Sequence, residues 1–161
     1  MSQAVPRTSG TTGFEFLVGS WDIHNRRKND QGVWEEFAAT NTVTMQVGGL
    51  VQIDYYDAPA FPSRGYVQAV TIRAFDPGTE EWSIVWLSNY APPDFRPVVG
   101  AFEDGVGRFY QVIESADGSP LHVEFVWDGI TDDSARWQQA FSLDGGKTWD
   151  VNWIMEFARR R

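Results

Sequence analysis

Apolar and polar residues alternate along most of this 161-residue chain with the period of two expected of strands that bury one face. Trp21 and Ile23 alternate with Asp22 and His24, and Leu121, Val123, Phe125 and Trp127 repeat the pattern. Turn residues cut the alternation into ten predicted strands: 20–28, 33–47, 50–57, 65–75, 81–89, 97–103, 107–115, 120–128, 134–143 and 148–158. Between them lie Asn29-Asp30-Gln31-Gly32, Gly48-Gly49, Asp76-Pro77-Gly78-Thr79, Asp104-Gly105-Val106, Ala116-Asp117-Gly118-Ser119 and Asp144-Gly145-Gly146. Their Gly, Asn and Asp residues tolerate the positive φ of hairpin turns. No stretch sustains a helical period. The one predicted helical turn is a short plug at Phe14–Val18, with Thr11 or Thr12 as its cap. Short strands joined by tight turns predict an all-β fold, a single antiparallel up-and-down barrel of about ten strands, because closure removes the exposed edges.

Hairpin connections alternate between the two ends of such a barrel. Trp21, both termini and the turns at 48–49, 76–79, 104–106 and 129–133 then share one end. The longest connections, 57–64 and 90–96, fall at the other, each with a Phe between prolines that stiffen the loop. Binding residues favour loops on a rigid scaffold. A mouth is therefore predicted between 57–64 and 89–97, with Phe61 and Phe95 as lid side chains and Tyr56, Tyr66 and Trp86 at the rim.

The phase of each strand predicts what faces the lumen. In the first strand Trp21 and Ile23 carry Asn25 and Arg27 inward; in the second, Phe37, Ala39 and Val43 carry Glu35 and Asn41. An Arg27–Glu35 contact follows from that hairpin. The third strand is ambiguous. A two-residue Gly48-Gly49 turn points Gln52, Asp54 and Tyr56 inward and leaves Val51, Ile53 and Tyr55 as an outer apolar stripe suited to a homodimer. A bulge would reverse both sets. Later inward rows are Tyr66, Val70 and Ile72 with Gln68; Trp82, Ile84 and Trp86; Phe109 and Ile113 with Gln111; Trp127; Trp137 and Phe141 with Gln139; and Trp149, Val151, Trp153, Met155 and Phe157. Such an interior suits an apolar or aromatic ligand fixed by a few polar contacts, with Asn25, Arg27, Tyr56, Tyr66, Gln68, Trp86, Gln111, Trp127, Gln139 and Trp153 as candidate ligand-binding residues. A core packed solid by the same rings would bind nothing.

Composition narrows the chemistry. One domain at residues 14–161 follows a predicted flexible tail at 1–13, which lacks the basic-then-apolar layout of a secretory leader. The expected location is cytoplasmic. With no cysteine, disulfides and thiolate metal sites are out of reach. A formal net charge of −9 argues against nucleic acid and anionic membranes as partners. No apolar run approaches the ~20 residues a membrane helix needs. The two histidines, His24 and His122, fall on outward phases, so neither a metal nor a haem is expected, and no cofactor is assigned. Catalysis would rest on a lumen carboxylate. Asp54 or Glu35, desolvated beside aromatic rings, would serve as acid or base in an isomerase, cyclase or hydrolase. A salt bridge to Arg27 is the structural alternative for both.

Two local patterns remain. Ser142-Leu143-Asp144-Gly145-Gly146-Lys147-Thr148-Trp149 matches the Asp-box, in which Asp and Thr bond the turn backbone and Trp packs beneath it. A single copy is a structural staple and not a propeller blade. Phe16-Leu17-Val18-Gly19-Ser20-Trp21-Asp22, with Trp82-Ser83-Ile84-Val85-Trp86 and the Asp-box hairpin, resembles a family of uncharacterised small bacterial lipocalin-like (calycin) barrels. The resemblance implies a calycin barrel with a small hydrophobic ligand and no catalytic residues. It also implies a closed end sealed by an Arg on Trp21, and Arg159 has the phase for it. Three functions stand open: binding of a small apolar or aromatic molecule, acid–base catalysis in the lumen, and a filled barrel acting as an interaction module.

Overall fold

The computed structural model describes residues 12–161. Ten strands make it up: β1 (Gly19–Lys28), β2 (Trp34–Gln46), β3 (Val51–Phe61), β4 (Gly65–Asp76), β5 (Glu81–Ser88), β6 (Val98–Glu103), β7 (Val106–Glu114), β8 (Pro120–Asp128), β9 (Ser134–Ser142) and β10 (Asp150–Arg159). Each pairs antiparallel with the next, and β10 returns to β1 through Trp21↔Arg159, closing the barrel. No helix among the described residues is long and apolar enough to cross a membrane.

The expected helical plug is a single 3-10 turn, Glu15–Leu17, because Val18 is already extended and Gly19 begins β1. It nevertheless drives Phe14 and Leu17 into the core, where neither is exposed. The Phe14 ring meets Phe102, Trp82 and Phe109 at centroid distances of 4.8, 5.0 and 5.5 Å. Trp21 donates to the Leu17 carbonyl at 2.8 Å. Of the predicted tail, 1–11 lies outside the described residues. Thr12 and Gly13 belong to the folded unit: both donate to the Glu15 carboxylate, and the Thr12 carbonyl accepts from Trp82 Nε1.

Close backbone approach fixes one glycine in particular. A Cβ on Gly100 would run into the Arg108 carbonyl of β7, which the ladder holds in place. Gly100→Ala is expected to cost about 1–3 kcal/mol, read as a lowered thermal midpoint.

Strand phase departs from the sequence pattern in two places. In β3 the set Gln52, Asp54 and Tyr56 is buried, with no bulge before Ala58, while Tyr55 is exposed. β4 is inverted: Val67, Ala69, Thr71 and Arg73 face in, whereas Tyr66 and Gln68 lie exposed on the outer wall. Pairing with β3 sets this phase, through Gln52↔Arg73 and Asp54↔Thr71. Small side chains opposite Tyr56 leave room in the lumen, and Val70 and Ile72 join Val51 and Ile53 on the half-buried outer wall. In β10 a register shift between Val151 and Trp153 turns Val151 and Trp149 away from the lumen. Trp149 stays with the Asp-box, near the Tyr110 ring.

That hairpin closes as its motif requires. Asp144 accepts from the Ser142 hydroxyl, the Lys147 and Thr148 amides and the Thr148 hydroxyl. These donors, the Thr148 hydroxyl first, hold its carboxyl well below the usual range.

Candidate functional site

The turn at 14–17 and its aromatic cluster fill one end of the barrel, and the other end encloses a cavity of about 280 Å³. At its floor lies a buried ion pair. Arg73 Nη1 stands 2.6 Å from Asp54 Oδ2, with the two side chains 6% and 2% exposed. Arg73 also donates to Gln52 Oε1 at 3.2 Å, and Gln52 donates to the Phe14 carbonyl at 2.9 Å, so the pair is tied to the closed end. The Thr71 amide donates to Asp54 at 3.3 Å. The guanidinium lies over the Phe14 ring at 5.0 Å and Trp127 at 5.8 Å. Buried charges persist when paired and bonded in this way.

Above the floor the wall is aromatic. Tyr56, Trp86, Trp137 and Trp153 line it, with Trp86 edge-on to Tyr56 at 5.0 Å and Trp153 near Trp137 at 5.7 Å. Asn25 is fully buried: its Oδ1 accepts from the Tyr56 hydroxyl at 3.0 Å and from Trp153 Nε1 at 3.1 Å, and its Nδ2 donates to the Phe37 carbonyl. Burial pushes the Tyr56 phenol pKa strongly up, so Tyr56 stays protonated as a donor. Gln111 and Gln139 add amides to the lining, Gln139 beside Trp153 in the β9–β10 ladder and donating to Asn152 Oδ1 at 2.8 Å.

At the mouth the segment 89–97 contributes Tyr90, Asp94 and Arg96 to the lining, and 57–64 contributes nothing. β3 runs on to Phe61 because Pro59, which cannot donate to the ladder, sits where the β3–β4 register shifts. Phe61 is consequently buried against Phe37, Tyr90 and Trp153, and is no lid side chain. Phe95 is exposed. Asp94 is held by Arg96, whose Nη2 lies 2.7 Å away, and this bond brings its carboxyl down to about 2.

The cavity brings together Arg27, Asp54, Tyr56, Trp86, Gln111, Trp127, Gln139 and Trp153, with Asn25 directly behind Tyr56 and Trp153. It leaves out Tyr66 and Gln68, which the inverted β4 carries outside. Glu35 is left out as well. It faces Arg27 in the β1–β2 register but accepts from Asn29 Nδ2 at 2.9 Å, since the turn amide is the nearer partner at the strand end. Arg27 instead lies over the rings of Phe61 and Trp153, at 5.3 and 5.1 Å. Arg73, Thr71, Asn41, Trp137 and Tyr90 join the lining unannounced by the ligand-binding reading of the sequence. Once Asp54 faces inward it needs a cation, and Arg73 is the one basic residue of β4.

No family model matches the chain, and no curated protein matches it in sequence. Its likeness is to solved barrels. The S-type phycobiliprotein lyase CPES from Guillardia theta matches with a TM-score of 0.57 and 12% identity over 92% of this chain and 90% of that one. Rv2717c from M. tuberculosis matches with a TM-score of 0.62 and 13% identity over 92% and 95%. At such identities the shared property is the fold.

Three buried polar atoms of the lining have no protein partner among the described residues: Asn41 Oδ1, Arg73 Nε and Trp86 Nε1. One acceptor and two donors of the lining side chains are thus left without a bond. Buried groups of this kind are normally satisfied by water or by a bound molecule.

Proposed function

We propose that the protein is a lipocalin-like barrel that binds a small, largely aromatic or apolar molecule in its lumen. The aromatic-lined cavity carries this reading. Its volume of about 280 Å³ lies at the small end of the ~300–1,000 Å³ usual for small-molecule sites. Tyr and Trp walls supply contact area at little entropic cost. Two observations weigh against the other readings. Asp54 is committed to Arg73 and Glu35 lies outside the cavity, so neither is a free acid or base. An interior with this much space is not a filled module.

N-phenyl-1-naphthylamine, a neutral dye of a naphthyl and a phenyl group that brightens in apolar surroundings, tests the reading. Its fluorescence should rise on titration into the protein and quench the barrel tryptophans. Gln111→Trp, which fills the lumen, should abolish both signals while the thermal midpoint holds. Equal signals from the filled variant, or none from the wild type, would overturn it.

A further inference from the structure

The charged side chains that line the cavity are Arg27, Asp54, Arg73, Asp94 and Arg96. Both aspartates are already neutralised, Asp54 by Arg73 and Asp94 by Arg96. Arg27 is left over. It makes no ion pair and no side-chain hydrogen bond among the described residues, although the chain as a whole carries an excess of acid. Its register partner Glu35 is held by Asn29. An unpaired cation in the lumen of a protein of net charge −9 calls for a partner from outside.

The surroundings of Arg27 favour one kind of partner. The Arg27 Cζ lies 5.3 Å from the Phe61 ring centre and 5.1 Å from that of Trp153, so two aromatic rings meet the guanidinium. Its N–H donors bond nothing among the described residues, and their planar fork matches a carboxylate through two parallel hydrogen bonds. Near the mouth, the Arg64 guanidinium lies 4.3 Å from the centre of the Tyr90 ring and adds a second cation. Trp86 and Trp153, packed edge to face at 6.1 Å, form one continuous aromatic wall of the cavity beside Arg27, against which an aromatic body would lie.

We infer that the ligand is an aromatic carboxylic acid, bound as its anion with the carboxylate on Arg27 and the ring system in the lumen against Trp86 and Trp153. This rests on the ligand-binding reading above and adds charge selection to it. Affinity for such an acid then exceeds that for its neutral isostere because the anion alone meets the fork with charge-assisted bonds.

The experiment compares 2-naphthoate with 2-naphthylmethanol at neutral pH by isothermal calorimetry, on the wild type and on Arg27→Met. Methionine keeps an aliphatic stem between Phe61 and Trp153 and removes the charge. The wild type should prefer the acid by about tenfold or more in Kd. Arg27→Met should reduce that preference to within about twofold, chiefly by weakening the acid, with the thermal midpoint unchanged. If the wild type binds both probes alike, or Arg27→Met keeps the preference, the anion assignment falls and the cavity reading stands. If neither probe binds the folded wild type, the cavity reading falls and takes the assignment with it.

Discussion

Replacing Arg73 with Met is expected to destabilise the barrel by about 3–5 kcal/mol, because the substitution leaves the buried Asp54 carboxylate without its counter-charge. For a domain of this size each kcal/mol moves the midpoint by about 2–4 °C, so a fall of roughly 6–20 °C should appear in thermal unfolding. The loss is more than one ion pair. Arg73 also donates to Gln52, which donates to the Phe14 carbonyl, so the turn that closes the barrel is oriented through the same network. The double variant Asp54→Leu/Arg73→Met separates the two contributions. Replacing both charges by apolar groups is often neutral or stabilising, since no charge is then left unpaired. Most of the lost stability should return in the double variant. A double variant as unstable as the single one would show that the cost lies in packing around Phe14 and Trp127 and not in the stranded charge.

The ion pair also marks where sequence patterning stops being informative. Strand positions were legible because turn chemistry is local: glycine and aspartate at 104–105 and 144–146 announce hairpins without reference to anything distant. The largest boundary difference, β3 running to Phe61 where a loop was expected, turns on Pro59, which a strand tolerates at an irregularity of its ladder. Facing is different. In β4 the apolar set Tyr66, Val70 and Ile72 suggests the inner face, yet Ala69, Thr71 and Arg73 occupy it. Apolar count misleads where the outer wall is itself apolar, and Val51, Ile53, Val70 and Ile72 meet there across the β3–β4 pair. What fixes the phase is register against β3 and the need of Asp54 for a counter-charge, and both are properties of the assembled sheet.

The candidate site divides along the same line. Asn25, Trp86 and Trp153 could be read from alternation because each follows an unambiguous neighbour in its strand, whereas Tyr56 depended on the open phase of the third strand. Glu35 and Arg27 could be placed opposite one another, but not the choice each makes between near neighbours. Glu35 turns to Asn29 and Arg27 to Phe61 and Trp153, and the second contact exists only because β3 extends to Phe61. Asn41 was legible as an inward residue; that its Oδ1 would lack a partner was not, since a missing bond is a property of three-dimensional surroundings.

At the closed end Arg159→Ala is expected to cost about 2–4 kcal/mol, while Arg160→Ala should change stability by no more than about 1 kcal/mol. Arg159 pairs with Trp21 in the β10–β1 ladder, and its guanidinium lies 4.2 Å from the Trp21 ring centre. Its donors reach three carbonyls: Nη2 to Phe16 at 2.6 Å, Nη1 to Val18 at 2.7 Å and Nε to Asp132 at 2.7 Å. Hydrogen bonds from a charged group contribute about 1.5–3 kcal/mol each where water is excluded, and a cation over an indole about 0.5–2. The site is half-exposed, so water offsets much of each contact and the expected loss is held well below their sum. The carbonyls of Phe16 and Val18 have no other partner at the end of a 3-10 turn, and Arg159 therefore joins the turn at 15–17 to the last strand. Gly19 belongs to the same arrangement: at φ +124° it lets the chain pass, and a Cβ there would sit 2.6 Å from Arg159 Nη1. The Arg160 side chain makes only an exposed contact with Asp22, 3.3 Å from its Oδ1, of a kind that contributes little in water. Its amide bond to the Ser20 carbonyl survives truncation. Thermal unfolding of the two alanine variants side by side decides between a seal and a loose basic terminus. A seal requires a clear fall in midpoint for Arg159→Ala alone, and matching small changes in both would remove Arg159 from any role in closure.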